Sequence, residues 1–185
     1  MKNVKLKIIA GKYKNRTLVS YSEETRETSS MVRGAVFNML FQVQGIGLDL
    51  FSGSGAYGFE GLSRGLSKVY LNDQDMLAYR SLRENKDSLK VDNECVITNL
   101  DYQKAIEYYQ KNGIRFDYIF LDPPYKMTNI EHLFDVVSLI VKNQTVIVIE
   151  VEKKTQLPES YTQFSLLKEK VHGIKKIGVY QYHEK

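Results

Sequence analysis

Five short apolar runs alternate with segments of helical periodicity, and this alternation constrains the fold more than any other feature. The apolar runs are Ile46–Phe51, Val69–Leu71, Cys95–Thr98, Tyr118–Leu121 and Val146–Ile149. The helical segments between them are 56–65, 75–90, 102–112 and 129–142. Strands that are apolar on both faces and alternate with helices are typical of a parallel sheet covered on both sides. We therefore predict an α/β, doubly wound core.

Both ends of the chain add elements to this core. Residues 4–20 alternate loosely around a turn at Gly11-Lys12, which predicts a β-hairpin, and residues 31–43 have the spacing of an amphipathic helix. Candidate strands near 161–167 and 174–183 predict an antiparallel hairpin at the sheet edge. With 185 residues we predict one domain. Its hairpin and helix occupy 1–43, and a core with a mostly parallel, seven-stranded sheet occupies 44–185.

Positive charge is concentrated near the N-terminus. The chain has a net charge of +4, yet residues 1–16 contain no acid and six cations, Lys2, Lys5, Lys7, Lys12, Lys14 and Arg16. Such a basic segment suits a polyanionic partner, although a solvated strand face would look the same. The chain shows one cysteine, Cys95, and neither a membrane-spanning apolar run nor a signal-peptide pattern. We therefore expect a cytoplasmic location and no membrane partner.

A glycine-rich turn follows the first core strand. Gly53, Gly55 and Gly58 have the spacing G-x-G-x-x-G, which lets backbone approach a ligand at the carboxyl end of a strand. Dinucleotide sites share this spacing, so it does not identify the ligand alone. Asp49 lies within the strand, and a buried acid there favours a cationic group over a pyrophosphate.

Acidic residues follow the next two strands. Asp73 comes after the second core strand, where a carboxylate can accept both hydroxyls of a ribose. Asp75 is the nearby alternative, and it could instead cap the next helix. Asp101 follows the third strand and could face an adenine amine, cap helix 102–112, or do both. A ribose-binding acid occurs in both nicotinamide and S-adenosylmethionine sites, so it does not separate these cofactors.

The sequence Asp122-Pro123-Pro124-Tyr125 follows the fourth core strand. Two prolines fix the backbone and supply no N–H donor, so their carbonyls project from a rigid turn. The exocyclic amine of a base is a poor nucleophile because its lone pair is delocalised into the ring. Hydrogen bonds from the amine to the Asp122 carboxylate and the Pro123 carbonyl would localise that lone pair, and Tyr125 could stack on the base. A plain strand-ending turn is the alternative.

Taken together, these motifs resemble amino-group methyltransferases of nucleic-acid bases. The stretch from Ile8 to Leu18, followed by 26–40, is similar to the RsmD family, and the likeness runs from Ile8 to about Tyr182. The segment departs from the family pattern at Glu27, Ser30 and Met31. The resemblance implies a Rossmann-like, class I fold and S-adenosylmethionine as cofactor. It also implies methylation of guanine N2 in 16S rRNA within the small ribosomal subunit or its assembly intermediate.

The resemblance also implies roles for particular residues. The catalytic residues would be Asp122, Pro123, Pro124 and Tyr125. The cofactor would contact Asp49, Phe51, Ser52, Gly53, Ser54, Gly55, Asp73, Gln74, Asp101 and Tyr102. RNA would contact Lys12, Lys14, Arg16, Arg26, Thr28, Ser29 and Arg33. We expect a monomer. We also expect no metal site, because the three histidines lack metal-ligand spacing.

Four alternatives stay open at this stage. Methylation of a small molecule or of a protein glutamine uses related motifs but gives no reason for the basic N-terminal segment. A DNA adenine-N6 methyltransferase shares the Asp-Pro-Pro-Tyr motif, but such enzymes generally need a separate target-recognition region for which this chain has little room. A nicotinamide-dependent oxidoreductase shares the glycine spacing, and Asp49 and the double proline count against it. A non-catalytic RNA-binding domain could keep the same fold, although Asp122 is intact.

Overall fold

The computed structural model describes residues 4–21, 29–127 and 129–185. An antiparallel hairpin of β1 (Val4–Lys7) and β2 (Thr17–Ser20) precedes helix α1 (Ser30–Leu40). The core then alternates strands and helices: β3 (Ile46–Asp49), α2 (Ala56–Arg64), β4 (Lys68–Asn72), α3 (Met76–Leu89), β5 (Cys95–Thr98), α4 (Tyr102–Lys111), β6 (Phe116–Leu121), α5 (Ile130–Val137) and β7 (Val141–Glu152). Three strands close the chain: β8 (Ser160–Tyr161), β9 (Phe164–His172) and β10 (Lys175–Tyr182).

The large sheet has the order β5-β4-β3-β6-β7-β10-β9-β8. Its first five strands are parallel, and β10, β9 and β8 are antiparallel to their neighbours. The α/β prediction with an antiparallel C-terminal hairpin is thereby confirmed. The sheet has eight strands instead of seven because Ser160–Tyr161 pairs with the start of β9. The strand order reverses between β3 and β6, so the loops after these strands meet at a switch point where open α/β sheets bind ligands.

Some predicted boundaries were wrong. The helix expected over 129–142 ends at Val137 and passes through a short 3-10 turn, Ser138–Ile140, into β7. Val141 pairs with Phe116, and the Thr145 hydroxyl donates to the Phe116 carbonyl, so strand pairing overrides the helical pattern. The helix expected to reach residue 43 ends at Leu40, since Phe41 has a φ of 64°. The strand expected over 161–167 begins at Phe164 and runs to His172 because β10 pairs with its whole length.

Apolar side chains pack on both faces of the sheet. Successive residues of a strand point to opposite faces, and so Ile119 and Phe120 belong to different clusters. Phe134 centres one cluster, while Phe120 packs with Tyr57 in the other, beneath α1 and α2. Cys95 is buried, and burial raises the pKa of its thiol to about 12. No helix within the described ranges is long and apolar enough to cross a membrane.

The Glu60 carboxylate fastens the N-terminal hairpin to α2. It is completely buried and accepts hydrogen bonds from the Ile9 and Ala10 backbone N–H groups at 2.9 and 3.1 Å. The same carboxylate pairs with the guanidinium groups of Arg33 at 3.4 Å and Arg64 at 2.7 Å. A buried acid satisfied by two cations and two N–H groups fixes the position of the hairpin on the core.

The Asn85 side chain on α3 forms a second link. Its amide oxygen accepts from the Val19 N–H at 2.8 Å, and its amide nitrogen donates to the Val19 carbonyl at 2.9 Å. The same nitrogen donates to the Ser54 carbonyl at 2.9 Å. One buried amide therefore joins strand β2 of the hairpin to the glycine-rich turn.

Candidate cofactor and base site

A cavity of about 380 Å³ opens at the carboxyl ends of β3, β4, β5 and β6. Its size is within the range of small-molecule sites. Predicted residues from all four strand ends line it: Phe51 after β3, Asp73 and Gln74 after β4, Asp101 and Tyr102 after β5, and Asp122, Pro123, Pro124 and Tyr125 after β6. The fold therefore brings together residues that are up to 74 positions apart in the sequence, from Phe51 to Tyr125.

The glycine-rich turn lies beside this cavity. Gly53 and Gly55 have φ values of 54° and 82°, which L residues with a side chain rarely adopt. Asp49 is 2% exposed, and its carboxylate accepts the Gly58 N–H at 3.0 Å. Among the described residues, the cavity lining does not include Asp49, Ser52, Gly53, Ser54 or Gly55. Their observed contacts hold the turn in place, and their contact with the cofactor stays a prediction.

The two carboxylates after β4 have different contacts. Asp73 accepts the Gly53 N–H at 2.8 Å through one oxygen and the Asp75 N–H at 2.9 Å through the other. Burial raises the pKa of Asp73, although these N–H groups act in the opposite direction. Asp75 accepts the Leu77 N–H at 3.1 Å and caps α3, which is the alternative that the sequence left open for it.

Asp101 serves as a helix cap, and its contact with adenine stays a prediction. It accepts the Gln103 N–H at 2.9 Å as the cap of α4, and it also lines the cavity. The Phe51 and Tyr102 rings beside it are 5.7 Å apart, which provides apolar walls for a planar group such as adenine.

Sequence reasoning missed Asn72, the last residue of β4. Its amide nitrogen donates to the carbonyls of Leu50 and Leu100 at 3.2 and 2.9 Å, and its oxygen accepts the Thr98 hydroxyl at 2.8 Å. Asn72 is buried and ties together the ends of three strands that form the cavity floor. The available signal was a polar residue between an apolar run and Asp73, where an unpaired amide would be costly.

The Asp122–Tyr125 turn adjoins the glycine-rich turn because β6 pairs with β3, with Asp49 opposite Phe120. The two motifs therefore lie side by side at the switch point. The Pro124 carbonyl accepts the Met127 N–H at 2.8 Å, whereas the Pro123 carbonyl accepts no hydrogen bond from any residue that the structure describes. Tyr125 is 43% exposed. The turn thus presents a carboxylate, a carbonyl and an aromatic ring side by side.

Charge distinguishes between the cofactors considered. Within the part of the chain that the structure describes, four carboxylates line the cavity, from Asp73, Asp75, Asp101 and Asp122, against one ammonium from Lys175. This balance favours a ligand that carries positive charge, such as a sulfonium with its amino group, and it would repel a pyrophosphate. The lining residues therefore fit S-adenosylmethionine better than a nicotinamide dinucleotide.

Comparison with known proteins agrees with this geometry. Residues 6–181 match the family model described as "Conserved hypothetical protein 95". The chain is 35% identical to ribosomal RNA small subunit methyltransferase D of Haemophilus influenzae, over 95% of this chain and 93% of that protein. It is 31% identical to the protein of the same name from Escherichia coli K12, over 95% and 89% of the two chains. The chain belongs to the RsmD family of methyltransferases.

Solved structures extend the likeness to three dimensions. The RsmD-family chain superposes on a conserved hypothetical protein of Streptococcus pyogenes with a TM-score of 0.76 at 32% identity, covering 83% of this chain and 98% of the other. It superposes on the Escherichia coli protein yhhF with a TM-score of 0.82 at 26% identity, over 98% and 100% of the two chains. The methyl donor of such an enzyme is S-adenosylmethionine. Among the residues described, no three His, Cys, Asp or Glu side chains form a group able to hold a metal ion.

The basic segment of this RsmD-family chain is partly exposed. Lys12, Lys14 and Arg16 are exposed in and after the hairpin turn, and the Arg16 guanidinium donates to the Ser88 carbonyl. Ser29, predicted to contact RNA, is exposed and caps α1 by accepting the Val32 N–H at 3.2 Å. Arg26 and Thr28 lie outside the described residues.

The prediction that Arg33 contacts RNA is contradicted by its burial. Arg33 is 0% exposed, pairs with Glu60 and donates to the Lys7 carbonyl at 2.6 Å. Its position three and four residues before Val36 and Phe37 places it on the buried face of α1, and this spacing was a signal that the sequence already contained. Arg33 supports the hairpin from inside the protein.

Proposed function

We propose that this protein transfers the methyl group of S-adenosylmethionine to the exocyclic N2 amine of a guanine in 16S rRNA, in the small ribosomal subunit or an assembly intermediate. One observation carries the proposal: the Asp122–Tyr125 turn forms a wall of the same cavity that holds Asp73 and Asp101. A base held by the turn would therefore lie next to a cofactor held by the acids.

The cofactor supplies an electrophilic methyl group on a sulfonium, and the protein's task is alignment. The Asp122 carboxylate and the Pro123 carbonyl would accept hydrogen bonds from the two N–H groups of the target amine and direct its lone pair along the line of attack. The N–CH3 bond forms as the S–CH3 bond breaks, S-adenosylhomocysteine leaves, and the methylated amine gives up one proton to solvent. Tyr125 stacks on the base and keeps its plane fixed. The acidic lining attracts the positively charged sulfonium and helps to hold the cofactor in the cavity.

The names of the relatives support ribosomal RNA as the substrate class, since two of them are called small subunit methyltransferases. The exposed cations Lys12, Lys14 and Arg16 give the hairpin a surface that suits the phosphate backbone. The core occupies most of the chain, which favours recognition of structured RNA by shape over reading of duplex sequence.

A methylation assay tests the proposal. Small subunits and naked 16S rRNA from cells that lack this enzyme are incubated with the protein and isotopically labelled S-adenosylmethionine, and nucleosides are then analysed by mass spectrometry. We expect label in N2-methylguanosine with the wild-type protein and none with Asp122→Ala. Label in N6-methyladenine of added DNA, with none in either RNA, would instead favour the DNA methyltransferase alternative.

A further inference from the structure

Lys175 lies at the candidate base site although it is 50 residues away in sequence from Tyr125. It is the first residue of β10, which pairs antiparallel with β7 and places Lys175 opposite Glu152. Glu150 and Glu152 share a face of β7, so the Lys175 side chain extends over the same face of the sheet as Glu150. The strand pairing thereby brings an ammonium from the chain's C-terminal hairpin to the Asp122 turn.

The ammonium contacts three groups there. Lys175 Nζ is 2.9 Å from Glu150 Oε1, 3.7 Å from Asp122 Oδ1 and 5.0 Å from the centre of the Tyr125 ring. Its side chain is 17% exposed. The distance to Glu150 is that of a hydrogen bond, and the longer distance to Asp122 is that of an ion pair. Lys175 therefore connects two carboxylates and the ring predicted to stack on the base.

Glu150, which pairs with Lys175, is fixed in turn by a hydrogen bond from Tyr57. Glu150 is 3% exposed, and its other carboxylate oxygen accepts the Tyr57 hydroxyl at 2.9 Å. Tyr57 is buried in α2 and stacks on Phe120, the residue two positions before Asp122. Burial, followed by the nearby Glu150 carboxylate, raises the pKa of Tyr57 well above its usual value, so the phenol stays protonated and donates. The chain Tyr57–Glu150–Lys175–Asp122 is thus anchored at its inner end.

The Lys175 ammonium offsets negative charge around Asp122. Lys175 from β10 forms an ion pair with Asp122, and Glu150 from β7 and Tyr125 act on the same ammonium. Tyr57 from α2 lies within electrostatic range of Asp122, Glu150 and Asp49. Asp122, Glu150 and Asp49 are all carboxylates, which repel one another at close range. Burial lowers the pKa of Lys175, but Asp122 and Glu150 outweigh that effect and the net direction is upward. Lys175 consequently remains an ammonium over the physiological range.

We propose that Lys175 is a positioning residue for methyl transfer: anchored by Glu150, its ammonium keeps the Asp122 carboxylate ionised and fixed at the base site. This inference rests on the proposed function, because it assumes that Asp122 accepts the target amine. A protonated Asp122 would offer a donor in place of one acceptor lone pair, and a rotated one would leave the amine lone pair misdirected. The cation beside the Tyr125 ring also restricts that ring.

Four variants separate this role from a structural one. Lys175→Met removes the cation, and Lys175→Arg keeps it. Lys175→Met combined with Glu150→Gln removes the cation together with the buried charge that it neutralises. Lys176→Met is the matched control, since Lys176 is the next residue along β10 and pairs instead with Glu169 at 3.4 Å. Each variant is measured for kcat and KM on small subunits, for S-adenosylhomocysteine affinity by calorimetry, and for thermal unfolding.

We expect Lys175→Met to lower kcat by about 100-fold, the scale of a misplaced catalytic group, with cofactor affinity within about threefold of wild type. Lys175→Arg should recover most of kcat, and Lys176→Met should leave it unchanged. The double variant should regain thermal stability while kcat stays low. Recovery of kcat in the double variant would show that Lys175 only neutralises Glu150, and would overturn the proposal.

A second measurement does not depend on methyl transfer. The carboxyl carbon of Asp122, assigned through Asp122→Asn, is titrated by ¹³C NMR in the wild-type protein and in Lys175→Met. We expect the midpoint to move about one to three pH units higher in Lys175→Met. An unchanged midpoint contradicts the role of Lys175 even in an active enzyme. A shifted midpoint in a protein that methylates no RNA would place the fault in the proposed function instead.

Discussion

The Asp73 carboxylate accepts the Gly53 backbone N–H at 2.8 Å, so the acid expected to hold the ribose also holds the glycine-rich turn. Asp73→Ala removes both contacts. We expect S-adenosylhomocysteine affinity to fall on the order of 100-fold, because two charge-assisted hydrogen bonds are lost. Calorimetric titration measures this. Asp92→Ala is the control, since that carboxylate is 75% exposed and lies beyond the end of α3; an equal loss in both variants would contradict the assignment.

Cofactor affinity should also depend on pH through Asp73. The ionised carboxylate is the form that accepts two ribose hydroxyls, and burial raises the pKa of Asp73 in the ligand-free protein. Affinity is therefore complete above that pKa and falls as the pH drops through it, at a higher pH than for an exposed aspartate. Titrations of S-adenosylhomocysteine from pH 7 downward should show this loss. A pH-independent affinity across that range would remove Asp73 from the ribose site.

Asp122→Ala should reduce methyl transfer by at least about 100-fold, the scale of losing one preorganised polar contact in a transition state. We propose that this carboxylate contacts the base and not the cofactor, so cofactor affinity should survive. Methyl incorporation into small subunits and calorimetry with S-adenosylhomocysteine measure the two properties separately. A variant that loses cofactor binding would show that Asp122 belongs to the cofactor site.

The exposed hairpin cations should contribute to RNA affinity. Changing Lys12, Lys14 and Arg16 to Glu should weaken binding and flatten the dependence of log affinity on log salt, because fewer counterions are released. Filter binding at several salt concentrations gives this slope. We also compare a second variant, Lys12→Glu/Lys14→Glu, with the matched control Lys104→Glu/Lys111→Glu, which reverses two exposed lysines on α4. An unchanged slope in the hairpin variants would exclude these residues from the interface.

Glu60→Ala should lower the free energy of unfolding by about 3–5 kcal/mol, since it leaves the buried Arg33 guanidinium without this carboxylate. The Ile9 and Ala10 N–H groups lose their acceptor at the same time. Urea unfolding measures the change. Glu107→Ala, at an exposed position of α4, should stay within about 0.5 kcal/mol of wild type. A small effect of Glu60→Ala would mean that the hairpin is held mainly by apolar packing.

Local patterns predicted the strands and motifs that line the cavity. Apolar runs identified β3 to β7, the glycine spacing identified the turn after β3, and the double proline identified the turn after β6. These signals are local because each depends on residues within one strand and the loop that follows it. The observed pairing of β6 with β3 agrees with the general rule that the fourth parallel strand of such a fold neighbours the first.

Long-range pairing determined what the sequence could not show. Lys175 reaches Asp122 only because β10 pairs with β7 in one register, and a shift by one residue would turn its side chain to the other face. The hydrogen bonds of Asn72 form only because three strand ends converge on it. Arg33 was misassigned because a cation was taken as a sign of exposure, although its helical spacing placed it with Val36 and Phe37.

The hydrogen bonds of Asn85 provide a route by which RNA binding and cofactor binding can affect each other. Its single amide bonds to Val19 in the hairpin and to the Ser54 carbonyl in the glycine-rich turn, so the two candidate ligand surfaces share one rigid side chain. If RNA bound at the hairpin changes cofactor affinity through this amide by some factor, the cofactor must change RNA affinity by the same factor. If bound RNA raises cofactor affinity, and so favours binding of RNA first, then bound cofactor raises RNA affinity to the same extent.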